Sequence, residues 1–147
     1  MNIRSAVLEG INILKARSIL TAQLDAEILM AKSLDTNREY IILNNDKNLE
    51  DKDLKNFLSL IKKRASRKPI AYLVNKKYFW KNEFYVNKNT LIPRPDTELI
   101  VEQVLNLTKN KNKYSILDIG VGSGCILLSI LKERKNFYGT GIDISKN

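Results

Sequence analysis

The stretch Ile116-Leu117-Asp118-Ile119-Gly120-Val121-Gly122-Ser123-Gly124-Cys125-Ile126 decides the fold. A β-branched and leucine run bounded by glycines is the expected start of a buried parallel strand. An apolar helix over Leu127 to Leu131 is predicted to follow the turn at once. Gly120, Gly122 and Gly124 remove three Cβ atoms where the backbone must turn sharply and let a ligand come close. The next strand-like run, Phe137 to Ile142, ends on an acid, Asp143. Nineteen residues separate Gly124 from Asp143, the reach of one helix and one strand. An acid at that position can hydrogen-bond the two hydroxyls of a ribose. The stretch therefore reads as a nucleoside-binding strand-helix-strand unit, and the sequence stops shortly after it.

Composition narrows the class. A chain of 147 residues with 44% hydrophobic content can bury a core, in one domain or two small ones. Its net charge of +9 comes from 25 Lys and Arg against 16 Asp and Glu. That balance could favour nucleic acid or a ribonucleoprotein surface, but lysine and asparagine spread along the whole chain are the plainer explanation. One cysteine, Cys125, excludes an intramolecular disulfide, fits a reducing compartment and falls where packing is its default role. The sequence has no histidine, which removes the commonest general base and metal ligand. No apolar run approaches the roughly 20 residues of a membrane span, and no secretory signal opens the chain. These features predict a cytoplasmic protein with no metal site.

Before the glycine-rich stretch, apolar residues recur at helical spacing. Val7, Leu8, Ile11 and Leu14 predict a helix over 3–18. Leu24, Ile28, Leu29 and Ala31 predict another over 22–34, with Thr21 placed to cap it. A short helix is expected over 38–43, and a fourth over 49–65 through Leu54, Phe57, Leu58 and Ile61. Acids in its first turn (Glu50, Asp51, Asp53) and bases in its last (Lys62, Lys63, Arg64) suit the helix dipole. A bundle over 1–69, ended by Pro69, is the expected first domain, with no catalytic constellation of its own.

A hairpin and linker over 70–95 is expected next. Ile70 to Val74 and Tyr78 to Val86 are rich in β-branched and aromatic residues and read as short strands, with Lys81-Asn82 as a hairpin turn. Lys62, Lys63, Arg64, Arg67, Lys68, Lys76, Lys77 and Lys81 make a basic stretch. It could contact nucleic acid, but a solvated surface is the favoured reading because nothing fixes it to one face. In Leu91-Ile92-Pro93-Arg94-Pro95-Asp96-Thr97-Glu98, two prolines hold the backbone extended around Arg94. Asp96 is expected to cap a helix over 97–107 whose apolar face is Leu99, Ile100, Val104, Leu105 and Leu107. The segment is either a rigid linker or a stiff loop that presents Arg94 to a ligand.

Two cofactor classes use a glycine turn of this kind. Dinucleotide binders want G-x-G-x-x-G, the third glycine letting the helix pack close beneath a pyrophosphate. Here that third position is Cys125, and the pattern is G-x-G-x-G preceded by Asp118. S-adenosylmethionine carries no phosphate; it needs close backbone approach and an acid for its ribose. The spacing of Asp118, the glycines and Asp143 favours S-adenosylmethionine and a class I methyltransferase, a ligand-free turn being the alternative.

Together the segments resemble a known family. Ile70-Ala71-Tyr72-Leu73, the hairpin from Tyr78-Phe79-Trp80 to Phe84-Tyr85-Val86, Leu91 to Glu98, and Leu117 to Gly124 occur in the family's order. The whole chain resembles the N-terminal part of the peptide-chain release factor glutamine N5-methyltransferases, and the proline-flanked arginine is the most specific marker. Asn75 departs from the pattern, standing where the family usually carries glycine; asparagine still tolerates a left-handed turn.

The resemblance implies an α/β fold: a helical substrate-recognition bundle, a β-hairpin linker, and over 96–147 the truncated start of a Rossmann-like, S-adenosylmethionine-dependent domain. It implies methyl transfer to the glutamine of a release factor's Gly-Gly-Gln motif. Gly120, Val121, Gly122, Ser123 and Gly124 would line the cofactor together with Asp118, and Asp143 would hold its ribose. Pro93, Arg94 and Pro95 would shape the place where cofactor and target meet. The family's catalytic Asn-Pro-Pro-Tyr segment is absent from the sequence, whose prolines are Pro69, Pro93 and Pro95. The chain alone is therefore expected to be inactive, as a fragment, a truncated gene product or one piece of a split enzyme. A release-factor-binding module without catalysis, and a glutamine methyltransferase acting on a ribosomal protein, are the other readings.

Overall fold

The computed structural model describes residues 1–110 and 112–145. They divide into two compact units, the first Met1–Val74 and the second beginning at Asn75.

In the first unit, α1 (Ile3–Lys15), α2 (Ala22–Ser33), α3 (Arg38–Leu43) and α4 (Asp51–Ala65) form where the apolar spacing predicts them. Asn2 caps α1 by accepting from the Ser5 N–H at 2.9 Å, and Asn37 caps α3 by accepting from Tyr40 at 2.8 Å. Val7, Leu14, Leu29, Ala31, Phe57 and Ile61 are buried, while Leu8 and Leu24 are exposed. Each full burial of this kind stabilises by roughly 1.5–3 kcal/mol. Gly10 lets α1 and α4 meet, since a Cβ there would lie 2.7 Å from the Phe57 ring.

Thr21 precedes α2 but does not cap it. Its hydroxyl donates instead to the Asp25 carboxylate at 2.9 Å, which also accepts from Arg64 at 2.7 Å. Asp25 is buried, and a buried carboxylate demands partners more strongly than an open helix end does.

Ile70–Val74 is a helix, α5, and not the expected strand. Pro69 fixes φ for a helical start, and its carbonyl accepts from Tyr72 and Leu73 at 3.1 and 3.3 Å. Ile70, Leu73 and Val74, spaced i, i+3 and i+4, pack on the bundle core beside buried Ala71. Burial of that stripe overrides the β-branched local preference.

The second unit opens with an antiparallel hairpin of β1 (Lys76–Phe79) and β2 (Asn82–Tyr85). Phe79 pairs with Asn82, so the turn is Trp80-Lys81, one residue earlier than expected. Phe79 and Phe84 meet edge to face at 6.2 Å and share a core with Val101, Cys125, Ile130 and Phe137.

A 3-10 turn over Pro95–Thr97 leads into α6 (Glu98–Leu107), so Asp96 lies inside that turn and caps nothing. Pro95 fixes the first position, and the Thr97 N–H bonds the Arg94 carbonyl at 3.1 Å. The buried stripe of α6 also differs from the expected face. Val101, Val104 and Leu105 pack inward, while Leu99, Ile100 and Leu107 are exposed. Six of the ten residues of α6 are apolar and cover a wider arc than one buried stripe needs, so the sequence does not reveal which part of it meets the hairpin and the next helix.

β3 (Ser115–Ile119), α7 (Cys125–Glu133) and β4 (Tyr138–Ile142) form the predicted unit, with β3 and β4 parallel and Asp118 opposite Gly141. The strands are not buried as expected. Ile116 packs into the core, but Leu117 is 59% and Ile119 75% exposed, and every β4 residue is exposed. One helix covers one face, and alternate side chains of a strand point to opposite faces. Among the described residues no helix is long and apolar enough to cross a membrane.

Candidate cofactor-binding turn

The glycine turn is tied to the end of β4 by consecutive amides. Gly120 and Val121 both donate to the Ile142 carbonyl, at 2.8 and 3.0 Å. Gly122 donates to Asp143 Oδ2 at 2.8 Å. Gly124 closes the turn by donating to Val121 at 2.8 Å, and its carbonyl accepts the Leu128 N–H that starts α7. Gly120, Gly122 and Gly124 have φ of 80°, 52° and 74°, the left-handed region that glycine enters without strain. A Cβ on Gly120 would meet no atom within 4 Å, so backbone conformation calls for glycine there and the space above it is open.

Gly141, in β4, is a residue that the reading of the sequence passed over. A Cβ on it would lie 2.7 Å from Val121 Cγ2, so its absence lets the turn sit down on the strand. Gly139 does the same beneath Leu127 and Leu131, at 2.8 and 2.7 Å. The signal was legible: alternate glycines in Tyr138-Gly139-Thr140-Gly141-Ile142 mark one strand face that another element approaches closely.

Asp143 is held from both sides. Oδ1 accepts from the Ser145 N–H at 2.8 Å while Oδ2 accepts from Gly122. These backbone bonds, Ser145 first and then Gly122, hold its carboxyl below the usual aspartate range. The carboxylate is exposed, and each oxygen keeps a further lone pair for an outside donor.

Asp118 is half-buried in β3. Cys125 is a buried free thiol at the start of α7. Burial is the main cause that raises its pKa; a Ser123 hydrogen bond lowers it and the Asp118 charge raises it further. The thiol is therefore neutral at pH 7 and packs in the core.

Asp143 and the turn come together, whereas the proline-flanked segment stands apart from them in its bonding. Pro93 is buried, and Arg94 and Pro95 are exposed. Among the described residues the Arg94 side chain makes no hydrogen bond or ion pair.

The basic stretch does not act as one group. Arg64 binds Asp25, Arg67 donates to the Arg17 carbonyl at 3.2 Å, and Lys81 binds Glu133 at 2.6 Å. Lys81 shares Glu133 with the Trp80 indole N–H (2.9 Å), and Glu98 accepts the Trp80 backbone N–H (2.8 Å). These bonds hold Trp80 at φ 54°, an uncommon value for a bulky residue. No sequence pattern announced that anchor. Among the described residues there is no group of His, Cys, Asp and Glu that could hold a metal ion.

Comparison with known proteins shows what the chain is similar to. Residues 5–74 match the model described as the PrmC N-terminal domain. Release factor glutamine methyltransferase from Shewanella oneidensis is 40% identical over 128 residues, 87% of this chain and 44% of that protein. The Leptospira interrogans protein of the same name is 41% identical over 134 residues, 90% of this chain and 47% of the relative. The Aliivibrio fischeri protein is 39% identical over 143 residues, 97% of this chain and 47% of the relative. The chain thus spans under half the length of these relatives. The chain is similar to release factor glutamine methyltransferases over most of its own length, and residues 5–74 are similar to the N-terminal domain of that family.

Proposed function

We propose that this chain carries the substrate-recognition bundle and the cofactor-binding half of an S-adenosylmethionine-dependent enzyme that methylates the glutamine of a release factor's Gly-Gly-Gln motif. The observation that carries the reading is Asp143, drawn onto the Gly120–Gly124 turn by the Gly122 amide. The residues fit the cofactor chemically. The space above Gly120 is open, and the exposed Asp143 oxygens can each accept one ribose hydroxyl. When bound, S-adenosylmethionine would supply the methyl group.

The roles of this chain's residues follow from their chemistry. Gly120, Val121, Gly122, Ser123 and Gly124 offer backbone at close range, Asp118 fixes the start of the turn, and Asp143 holds the ribose. Buried Pro93, with Pro95, stiffens the backbone that presents Arg94 to the target. An amide nitrogen is a poor nucleophile because its lone pair is delocalised into the carbonyl. Catalysis then depends on positioning and on acceptors that orient the amide, and the sequence has no Asn-Pro pair to supply them. The 147-residue chain alone is proposed to bind cofactor without turnover. A role in translation termination, with a release factor as partner and a cytoplasmic location, follows from that substrate and agrees with the single reduced thiol.

Calorimetric titration with S-adenosylmethionine tests the reading. Wild type should bind, and Asp143→Ala should weaken binding by at least about tenfold, the loss expected for a pair of ribose hydrogen bonds. Equal affinity in the two proteins would overturn it. A methyl-transfer assay with a release factor, and in parallel with ribosomal protein, should give background counts; turnover would refute inactivity.

A second reading has its own observation. The bundle closes a core of its own, with Leu14, Leu29, Met30 and Phe57 fully buried. It can serve as a release-factor-binding module without catalysis, and a pull-down with Met1–Val74 alone tests this.

A further inference from the structure

The lysines of α4 fall on one face. At 3.6 residues per turn, Lys52, Lys55, Asn56, Ser59, Lys62 and Lys63 occupy about a third of the helix circumference, and all six are exposed. Buried Phe57 and Ile61 mark the opposite side. From Lys52 to Lys63 the stripe runs for about 16 Å, at about 1.5 Å per residue. Asp51 and Asp53 flank it at the first turn. Even so, among the described residues none of these four lysines makes an ion pair or a side-chain hydrogen bond. Arg64, one turn on, is spent inside the bundle on Asp25. We propose that this face of α4 docks on the sugar-phosphate backbone of an RNA duplex.

The chemistry of the stripe selects the partner. Uncompensated ammonium groups in a row on a rigid helix repel one another, and a regular line of phosphates relieves that repulsion while releasing its own counterions. A protein surface is a poorer match, because protein interfaces are built around apolar and aromatic anchors and are depleted in lysine. None of the large apolar side chains of α4 is exposed, and its one aromatic, Phe57, is buried. The same lack of an exposed ring disfavours single strands, whose bases are held by stacking on aromatic side chains. A duplex keeps its bases paired and presents only backbone. Between the two lysine pairs stand Asn56 and Ser59, short polar groups that can bond a ribose 2′-hydroxyl, which RNA carries and DNA lacks. The inference stands apart from the glycine turn and uses none of its residues.

Fluorescence anisotropy of the full chain with a labelled RNA duplex of about 16 base pairs tests the proposal. Replacing Lys52, Lys55, Lys62 and Lys63 together by Gln removes the charge of the stripe, and glutamine sustains a helix about as well as lysine. A control replaces Lys88, Lys109, Lys113 and Lys135 by Gln, taking the same charge from exposed positions elsewhere. At low salt the stripe variant should bind at least about tenfold more weakly than wild type, and the control should lose less than about threefold. The log–log salt slope of the stripe variant should be shallower by about 3. A DNA duplex of the same length should bind more weakly than RNA, and Asn56→Ala with Ser59→Ala should narrow that gap. Absence of wild-type binding, or equal losses in the stripe and control variants, would overturn the proposal. So would DNA binding as tightly as RNA, or polyglutamate displacing the RNA at equal charge concentration, which would point to an acidic protein instead.

Discussion

The bundle and the βαβ unit are both built from apolar segments of similar length, yet they treat those segments differently. In the bundle, Ala6, Leu14, Ala26, Leu29, Met30 and Phe57 lose essentially all exposure, and even a carboxylate, Asp25, is buried with its arginine. In the βαβ unit, Leu117, Ile119 and Ile142 remain 59%, 75% and 48% exposed. A helix needs only one stripe covered, and neighbouring helices in sequence can supply the cover. A parallel strand has two faces, and a single crossover helix shields one. Local sequence thus completes the first architecture, whereas the second depends on how many elements surround the sheet.

Breaking the bundle should have the largest effect. Phe57→Ala empties a fully buried ring site against Gly10 and is expected to destabilise the first unit by about 3–5 kcal/mol. Leu117→Ala in β3 should stay within about 0.5 kcal/mol, because more than half of that side chain is already in water. Urea unfolding followed by circular dichroism compares the two; equal losses would mean that the contrast in burial is not an energetic one. Next comes Arg64→Ala, which leaves Asp25 buried with only the Thr21 hydroxyl. A loss of about 2–4 kcal/mol is expected, and a neutral result in the same unfolding experiment would remove the ion pair from the account of bundle stability.

Within the βαβ unit, Gly141→Ala should have the largest consequence for the site. The new methyl would lie 2.7 Å from Val121, and relief costs about 1–3 kcal/mol as the turn lifts off β4. Loss of S-adenosylmethionine binding without loss of helix signal would sharpen the distinction between units; unchanged binding would show that the turn tolerates the lift.

The smallest effect concerns pH. The folded-state pKa of Asp143 is depressed, so its stabilising contribution is fully present above the unfolded pKa and disappears as pH falls through the lower folded value. The Gly122 amide should stay protected from exchange through the neutral range and lose protection only below the ordinary aspartate range. Loss of protection at pH 5–6 would contradict the Ser145 and Gly122 bonds.

Most of the bundle was legible because α1 and α4 are amphipathic and Asn, Pro and charge signals bound its helices, although α2 is buried on several sides and has no clear apolar stripe. The parallel pairing of β3 with β4 was legible too, from the glycine turn and the one-helix spacing to Asp143. Errors fell where local preference and packing disagree. Ile70–Val74 carries a strand composition, but Pro69 and the bundle core make it a helix. Asp96 has a capping side chain, but Pro95 starts the chain in a 3-10 turn and delays α6. The apolar face of α6 was misjudged because six of its ten positions are apolar, more than the one buried stripe of Val101, Val104 and Leu105 uses. Thr21 turned to Asp25 because the buried charge outweighed the helix end.

The residues by themselves determined which segments are helices over most of the bundle, where the glycine turn lies and which acid follows it, since periodicity, capping and φ > 0 act over a few neighbours. Only the tertiary structure decided that Asp143 accepts the Gly122 amide, that Gly141 seats Val121, that Glu98 and Glu133 hold Trp80, and that Asp25 meets Arg64. Each of those bonds joins groups far apart in sequence or set by strand register, and nothing in local preference encodes their meeting.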